Sequence, residues 1–326
     1  MLRTIGFPIG RKEHEKRRAL TIEAIKACPY KEQLVFEKDY GTVLGISNKE
    51  LANTGVHIAN REEVLRQDII CDPKAGDAEY IESLTSGQIL FGWIHAVQNR
   101  ELTEQLVKNG ITAIAWEDMN ERGRHLFWRN NEIAGEAAVL HALEQLGILP
   151  YEVKAAILGR GNTARGAYKI LTKLGADVTV YDRRTEELFR QEIDQYDVLV
   201  NAILWDINRN DHIIYKEDLQ RMKKGSLIID VSCDEGKGVE TSKPTTIEQP
   251  IYSINGIYHY VVDHTPSIYH ASASKSISEV VSKYLPILLT KKEQENAVLQ
   301  EATIIKDQTI LDKKILDYQR KPSLLA

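Results

Sequence analysis

Cysteine is scarce in this 326-residue chain: three residues, Cys28, Cys71 and Cys233, odd in number and far apart. That excludes a disulfide framework and a compact thiolate zinc site, so no metal centre is expected, and it favours a reducing compartment. Positive charge is not in excess either. The 42 Lys+Arg against 47 Asp+Glu leave a formal net charge of −5, which sets a nucleic-acid-binding function at a disadvantage. No apolar run reaches the roughly 18 residues of a membrane span, and the opening MLRTIGFPIGRKEHEKRR lacks the apolar stretch of a secretory signal. The expectation is a cytoplasmic protein with neither nucleic-acid nor membrane partners. What the chain does have is an ordinary globular composition, 43% hydrophobic and 27% charged. At about 100–200 residues per domain its length suggests two domains.

Apolar runs alternate with amphipathic stretches. Thr4–Pro8, Gln33–Phe36, Asp68–Cys71, Gln88–Gly92 and Thr112–Trp116 read as strands, with helices at Thr21–Ala27, Arg61–Leu65 and Arg100–Asn109 between them. A polar stretch, Asn120–Asn131, precedes a long helix that begins near Glu132 and stops at Gly147, with Pro150 just beyond. A second series follows, with strands at Lys154–Leu158, Asp177–Tyr181, Val198–Ala202, Ser226–Val231 and Tyr252–Ile254. This predicts α/β architecture with parallel sheets covered on both faces. A helix at Lys275–Leu289 is expected to be ended or kinked by Pro286 and to return to the first domain. The charged tail from Lys291 is helical in period; its apolar residues fit packing on a partner subunit or on the first domain.

The most specific local motif is Gly159-Arg160-Gly161-Asn162-Thr163-Ala164, which follows a strand and opens a helix. The first glycine permits the tight turn, the second lets the backbone approach a pyrophosphate, and the small Ala164 allows close helix–strand packing. The helix N-terminus offers N–H groups and a positive dipole end to the phosphates. The next strand ends in Asp182-Arg183-Arg184-Thr185. An acid at that position ordinarily accepts the ribose hydroxyls of NAD, whereas two arginines and a threonine suit the 2′-phosphate of NADP. The carboxylate argues against that phosphate and the arginines argue for it; the balance favours NADP(H).

These motifs, with Gly6-Phe7-Pro8, Lys12-Glu13, Lys16-Arg17-Arg18-Ala19, His95, Glu132-Ile133-Ala134-Gly135 and Asp230-Val231-Ser232-Cys233-Asp234, make nearly the whole chain up to about Leu289 resemble the alanine dehydrogenase superfamily. That superfamily also holds saccharopine dehydrogenase and the soluble part of transhydrogenase. Ser242–Thr246 is similar to the alanine dehydrogenase side, and Asp263–Ser267 with DVSCD to saccharopine dehydrogenase. The IICDPK segment and the short chain look most like the N5-(carboxyethyl)ornithine synthase family. The resemblance implies two doubly wound Rossmann-like domains with a cleft between them, the first discontinuous (1–130 plus 263–326, substrate) and the second (131–262) binding NADP(H). It implies pyruvate and L-ornithine or L-lysine as substrates and imine reduction as the chemistry; a homo-oligomer, dimer or tetramer, is expected. Alanine dehydrogenase or saccharopine dehydrogenase-type chemistry is the alternative, with a non-catalytic dinucleotide-binding module as a third.

The resemblance also assigns roles. Arg17 aligns with the arginine that holds the keto acid carboxylate, and His95 with the catalytic histidine; imidazole suits proton transfer near neutrality. Alanine dehydrogenases carry a lysine just before a Glu-Pro pair. Here Cys71-Asp72-Pro73 occupies that register, so Lys74 is expected to reach the keto oxygen from a shifted position. Asp234 aligns with the aspartate beside the nicotinamide; Val231 is expected to bind the cofactor, and His264, with Asp263 at the cleft, the substrate.

Overall fold

Short, fully buried apolar runs become strands, and the amphipathic stretches between them become helices that cover both sheet faces. The computed structural model describes residues 1–206 and 209–320. They form two units, Met1–Phe127 with the segment from His270 onward, and Trp128–Tyr269.

The first unit runs β1 (Ile5–Phe7), α1 (Ile22–Ala27), β2 (Leu34–Glu37), α2 (Asn48–Ala52), β3 (His57–Ala59), α3 (Arg61–Leu65), β4 (Ile69–Asp72), β5 (Ile89–Gly92), α4 (Arg100–Lys108) and β6 (Thr112–Ala115). These strands lie parallel in the order β3-β2-β1-β4-β5-β6. The order reverses between β1 and β4, and such a switch point opens a crevice at the carboxyl ends of the strands. Phe7, Phe36, Phe91 and Trp116 fill one face of the sheet, and Ile70, Leu90, Ile94 and Ala113 the other. The polar stretch after β6 contains a hairpin, β7 (Asn120–Glu121) with β8 (Arg124–His125), turned at Arg122 and Gly123, both at positive φ.

In the second unit α5 (Trp128–Leu146) starts four residues before Glu132. It stops where Gly147 takes φ 64° and Ile148 donates its N–H back to Leu143, the Schellman closure the Gly–Pro pattern predicts. Then come β9 (Lys154–Leu158), α6 (Asn162–Lys173), β10 (Asp177–Tyr181), α7 (Glu186–Gln191), β11 (Val198–Asn201), β12 (Leu227–Asp230), β13 (Ile251–Ile254) and β14 (Ile257–Tyr260). The sheet order is β10-β9-β11-β12-β14-β13, parallel except for the β13–β14 hairpin. Its switch point lies between β9 and β11.

Two expectations about the C-terminal third are corrected. The helix α8 (His270–Leu289) begins five residues before Lys275 and runs through Pro286. The proline falls in the last turn, where it removes one backbone bond while buried Tyr284, Leu285, Leu288 and Leu289 hold that turn on the core. Nor is the tail one helical stretch. It forms α9 (Ala297–Glu301), β15 (Thr303–Lys306), β16 (Thr309–Ile310) and α10 (Lys313–Gln319), with β15 antiparallel to β6 at the edge of the first sheet. Asp307 and Gln308, both at positive φ, make the two-residue turn between β15 and β16. Among the described residues no helix is long and apolar enough to cross a membrane.

Candidate active site

In the first unit the loops after β1, β4 and β5, neighbours at the switch point, carry Arg17, Lys74 and His95. Arg17 is buried, its side chain 5% exposed. Glu15 takes its Nε–Nη2 edge at 2.9 and 2.6 Å, and the guanidinium lies over the Trp93 ring, 5.2 Å from the centroid. Arg18 is buried as well; its Nε donates to Tyr40 O (2.7 Å), and burial lowers its pKa. Lys74 follows the β4 end, where its N–H and the Tyr80 hydroxyl each donate to Asp72 at 2.8 Å. Burial pushes the Asp72 carboxyl up to about 6, and nearby Glu15 pushes the same way. Asp77 draws both Lys74 (3.0 Å) and Lys12 (2.6 Å), and the two ammonium groups hold its pKa below the usual range.

The β4 and β5 loops are tied at Gly76, whose N–H donates to Trp93 O at 2.9 Å. A Cβ at Gly76 would meet Ile94 O at 2.0 Å, so only glycine allows this approach. His95 is exposed, in the left-handed region at φ 52°. The Glu117 carboxylate fixes that turn by accepting the N–H groups of His95 (2.5 Å) and Ile94 (3.2 Å). The unit therefore links Arg17 to Trp93, two residues before His95, while the Asp72 carboxylate holds the Lys74 N–H at the end of the neighbouring strand.

In the second unit Gly159 takes φ +115°, and a Cβ there would sit 2.9 Å from Ala202 O. Gly161 caps α6, whose N-terminus has no side-chain cap, and a Cβ on Gly161 would meet nothing within 4 Å. Uncapped N–H groups of Asn162, Thr163 and Ala164 beneath open space are what a pyrophosphate needs, so the turn fits a dinucleotide. Ala164 is buried against the sheet. At the end of β10, Arg160 pairs with Asp182 Oδ2 at 3.0 Å, Arg184 N–H donates to Oδ1 at 2.9 Å, and the Thr185 hydroxyl accepts Asp182 N–H at 3.0 Å. The side chains of Arg183 and Arg184 are exposed.

After β12, half-buried Val231 donates its N–H to Asn201 O (2.9 Å), and Cys233 takes φ 56°. Asp230 is buried, bonded by Asn201 Nδ2 (2.9 Å) and Ser242 Oγ (2.5 Å), and its carboxyl is pushed up to about 6 by burial, with Asp234 adding to the shift. His264 is buried and its Nδ1 shares a short hydrogen bond with Asp263; both residues fall in the second unit.

Sequence reasoning passed over Glu15, Asp72, Glu117 and Asp230 as site residues. Glu15 and Asp72 stand two residues from Arg17 and Lys74, a spacing that could have drawn attention to them. Glu117 acts on a loop 22 residues away, and nothing local marks it.

The descriptions "Alanine dehydrogenase/PNT, N-terminal domain" and "Alanine dehydrogenase/PNT, C-terminal domain" match residues 6–133 and 183–317. The chain is 33% identical over 298 residues to an N(5)-(carboxyethyl)ornithine synthase of Clostridium botulinum, covering 86% of this chain and 93% of that one. It is 33% identical over 296 residues to the enzyme of the same name from Lactococcus lactis, with the same coverage. Among solved structures, an L-alanine dehydrogenase superposes with a TM-score of 0.84 at 22% identity, covering 97% of this chain and 99% of that one. The fold is thus that of two Rossmann-like domains.

Proposed function

This chain belongs to the N(5)-(carboxyethyl)ornithine synthase family of the alanine dehydrogenase superfamily, and we propose that it joins pyruvate to the side-chain amine of L-ornithine, or of L-lysine, at the expense of NADPH. At the coarser level it is an amino-acid oxidoreductase of the dehydrogenase type with a nicotinamide cofactor. The observation that carries the keto acid part of this reading is Arg17, a buried guanidinium stacked on Trp93 at a switch point, and the diamino acid part is carried by the likeness to the two synthases. A bidentate guanidinium fixes the plane of a keto acid carboxylate and so the face its carbonyl presents.

The keto acid carboxylate binds Arg17. Lys12, Arg18 and Lys74 add positive charge around an anionic substrate. Lys74 donates a hydrogen bond to the keto oxygen while the uncharged amine attacks the keto carbon. The amine is protonated in water at pH 7 and must lose that proton first; His95, exposed at the end of its loop, accepts it. His95 then protonates the departing hydroxyl as the carbinolamine loses water and becomes a C=N bond. NADPH, held by Gly159–Ala164, Asp182–Thr185 and Val231, supplies hydride to the imine carbon when bound. The family resemblance gives Asp234 the α-amine of the amino acid and puts His264 on the substrate side.

The test is NADPH oxidation with pyruvate plus ornithine, lysine or ammonia, omitting one component each time, and the mass of the product. Oxidation that requires pyruvate and a diamino acid, with a carboxyethyl adduct as product, is expected. Turnover with ammonia alone would make the chain an alanine dehydrogenase, a requirement for 2-oxoglutarate would make its chemistry saccharopine-like, and cofactor binding without turnover would make it a non-catalytic module.

A further inference from the structure

The end of β10 presents a contradiction: Asp182 stands where a carboxylate favours the ribose diol of NAD and repels the 2′-phosphate of NADP, yet Arg183 and Arg184 follow it. We infer that Arg160, the residue between the two glycines, determines cofactor choice by neutralising Asp182 and completing a three-arginine site for the 2′-phosphate. The inference rests on the NADP(H) reading above and assigns the residue that makes it work.

Arg160 Nε lies 3.0 Å from Asp182 Oδ2, and the Arg184 N–H occupies Oδ1 at 2.9 Å. Both carboxylate oxygens are thus engaged before any ligand arrives, and a ribose diol would have to share them. Arg160 bridges the phosphate turn and the end of β10, the two segments that hold the adenosine half of a dinucleotide in this fold. Its side chain is 67% exposed and pairs with no other acid among the described residues. A solvated pair of this kind is weak, so the guanidinium can keep Nε on Asp182 while its terminal nitrogens turn to a phosphate. Arg183 and Arg184 are exposed and have no ion-pair partner among the described residues. A phosphate monoester, carrying close to two negative charges at pH 7, would meet three guanidinium groups and one compensated carboxylate. A ribose hydroxyl, being uncharged, would gain no ion pairing from those arginines.

The experiment is direct titration of the full chain with NADPH and with NADH, followed by the fluorescence of the reduced nicotinamide, with no substrate present. Wild type is compared with Arg160→Ala, Asp182→Asn and the double variant. Arg160→Ala is expected to weaken NADPH binding about tenfold or more, the worth of a charge-assisted hydrogen bond, and NADH binding by about twofold or less. Asp182→Asn in the Arg160→Ala background should restore part of the NADPH affinity, because the uncompensated carboxylate is gone. Equal loss for both cofactors in Arg160→Ala, or no recovery in the double variant, would overturn the inference while leaving the NADP(H) reading intact. Wild-type protein that binds NADH as tightly as NADPH would overturn both. Arg160 is on the surface, and asparagine at 182 keeps an oxygen to accept the Arg184 N–H, so none of these variants threatens the fold.

Discussion

Gln319 on α10 donates its side-chain N–H to the carbonyl of Ala96 at 2.9 Å, and Ala96 is the residue after His95. The same amide lies 3.3 Å from Val97 O and 3.0 Å from Thr103 Oγ1, while Thr103 Oγ1 donates to Ala96 O as well. The tail thus holds one side of the loop that Glu117 holds from the other, more than 200 residues away in sequence. Gln319→Ala is expected to lower kcat on the order of tenfold, since small misplacements of a catalytic group are costly, and to leave NADPH affinity unchanged. Global stability should fall by only about 1 kcal/mol. Amide hydrogen exchange across 95–99 should quicken in the variant, and unchanged exchange with unchanged kcat would show that the clamp is idle.

The sheets were legible because parallel strands buried on both faces read as short apolar runs, and β4, β5, β9, β10 and β11 lie within a residue of their expected bounds. What escaped had weaker signals. The edge strand β3 is three residues long and exposes its histidine. Strand β14 follows Asn255-Gly256, both at positive φ, and that Asn-Gly pair was available as a hairpin signal. In the tail, the apolar positions that suit a helical period also suit Ile304–Ile305 in a strand, and docking on β6 settles the matter in favour of the strand. The site divides the same way. The glycine turn is a local motif and can be read from spacing, and the two-residue Glu15–Arg17 spacing is local too, whereas the Glu117 brace and the Arg160–Asp182 contact exist only once separate segments meet.

Arg17 and Glu15 are a buried ion pair, and truncating one partner of such a pair costs about 3–5 kcal/mol. Arg17→Ala would therefore confuse folding with binding. Arg17→Lys keeps the charge and loses the fork. Its KM for the keto acid is expected to rise about tenfold or more, with the KM for the amino acid changed about twofold or less. An equal rise in both would remove Arg17 from the carboxylate site. Thermal unfolding, measured alongside, reports how well Glu15 is still satisfied.

Asp234 offers the opposite split. Asp234→Asn removes the charge that would meet the α-amine of the amino acid and nothing that would meet pyruvate. KM for ornithine is expected to rise about tenfold while KM for pyruvate stays within about twofold, the loss expected when one charge-assisted hydrogen bond goes. Steady-state kinetics with each substrate varied in turn checks this, and an equal loss for both would place Asp234 elsewhere.

Burial raises the carboxyls of Asp72 and Asp230 from 3.8 to about 6. The folded state therefore holds protons that the unfolded chain has released, and this contribution to stability declines as pH rises from about 4 to about 6 and is constant above. For one such group the change amounts to about 3 kcal/mol. Asp230→Asn is the cleaner variant: its amide oxygen can still accept from Asn201, and the Ser242 hydroxyl can turn to accept from the new amide. Denaturant unfolding at pH 4 and at pH 7 should show the variant gaining on wild type at the higher pH. Other carboxyls, Asp77 and Asp197 among them, are lowered and tilt the whole protein the other way, so only the difference between the two proteins is diagnostic. A difference that does not vary with pH would mean Asp230 ionises normally.

His95 must be replaced with its backbone in mind. At φ 52° it sits where a Cβ is strained, and asparagine tolerates that region better than alanine. His95→Asn keeps a polar side chain but cannot exchange a proton, while the Glu117 brace, which acts on main-chain N–H groups, stays intact. If His95 carries protons during imine formation, kcat should fall by roughly 10²–10⁴-fold, with NADPH affinity and unfolding midpoint near wild type. A preformed cyclic imine reduced at a near-normal rate by the variant would place the histidine before hydride transfer. Wild-type turnover in His95→Asn would take the histidine out of the chemistry and pass the proton work to Lys74, whose ammonium group Asp77 already holds at 3.0 Å.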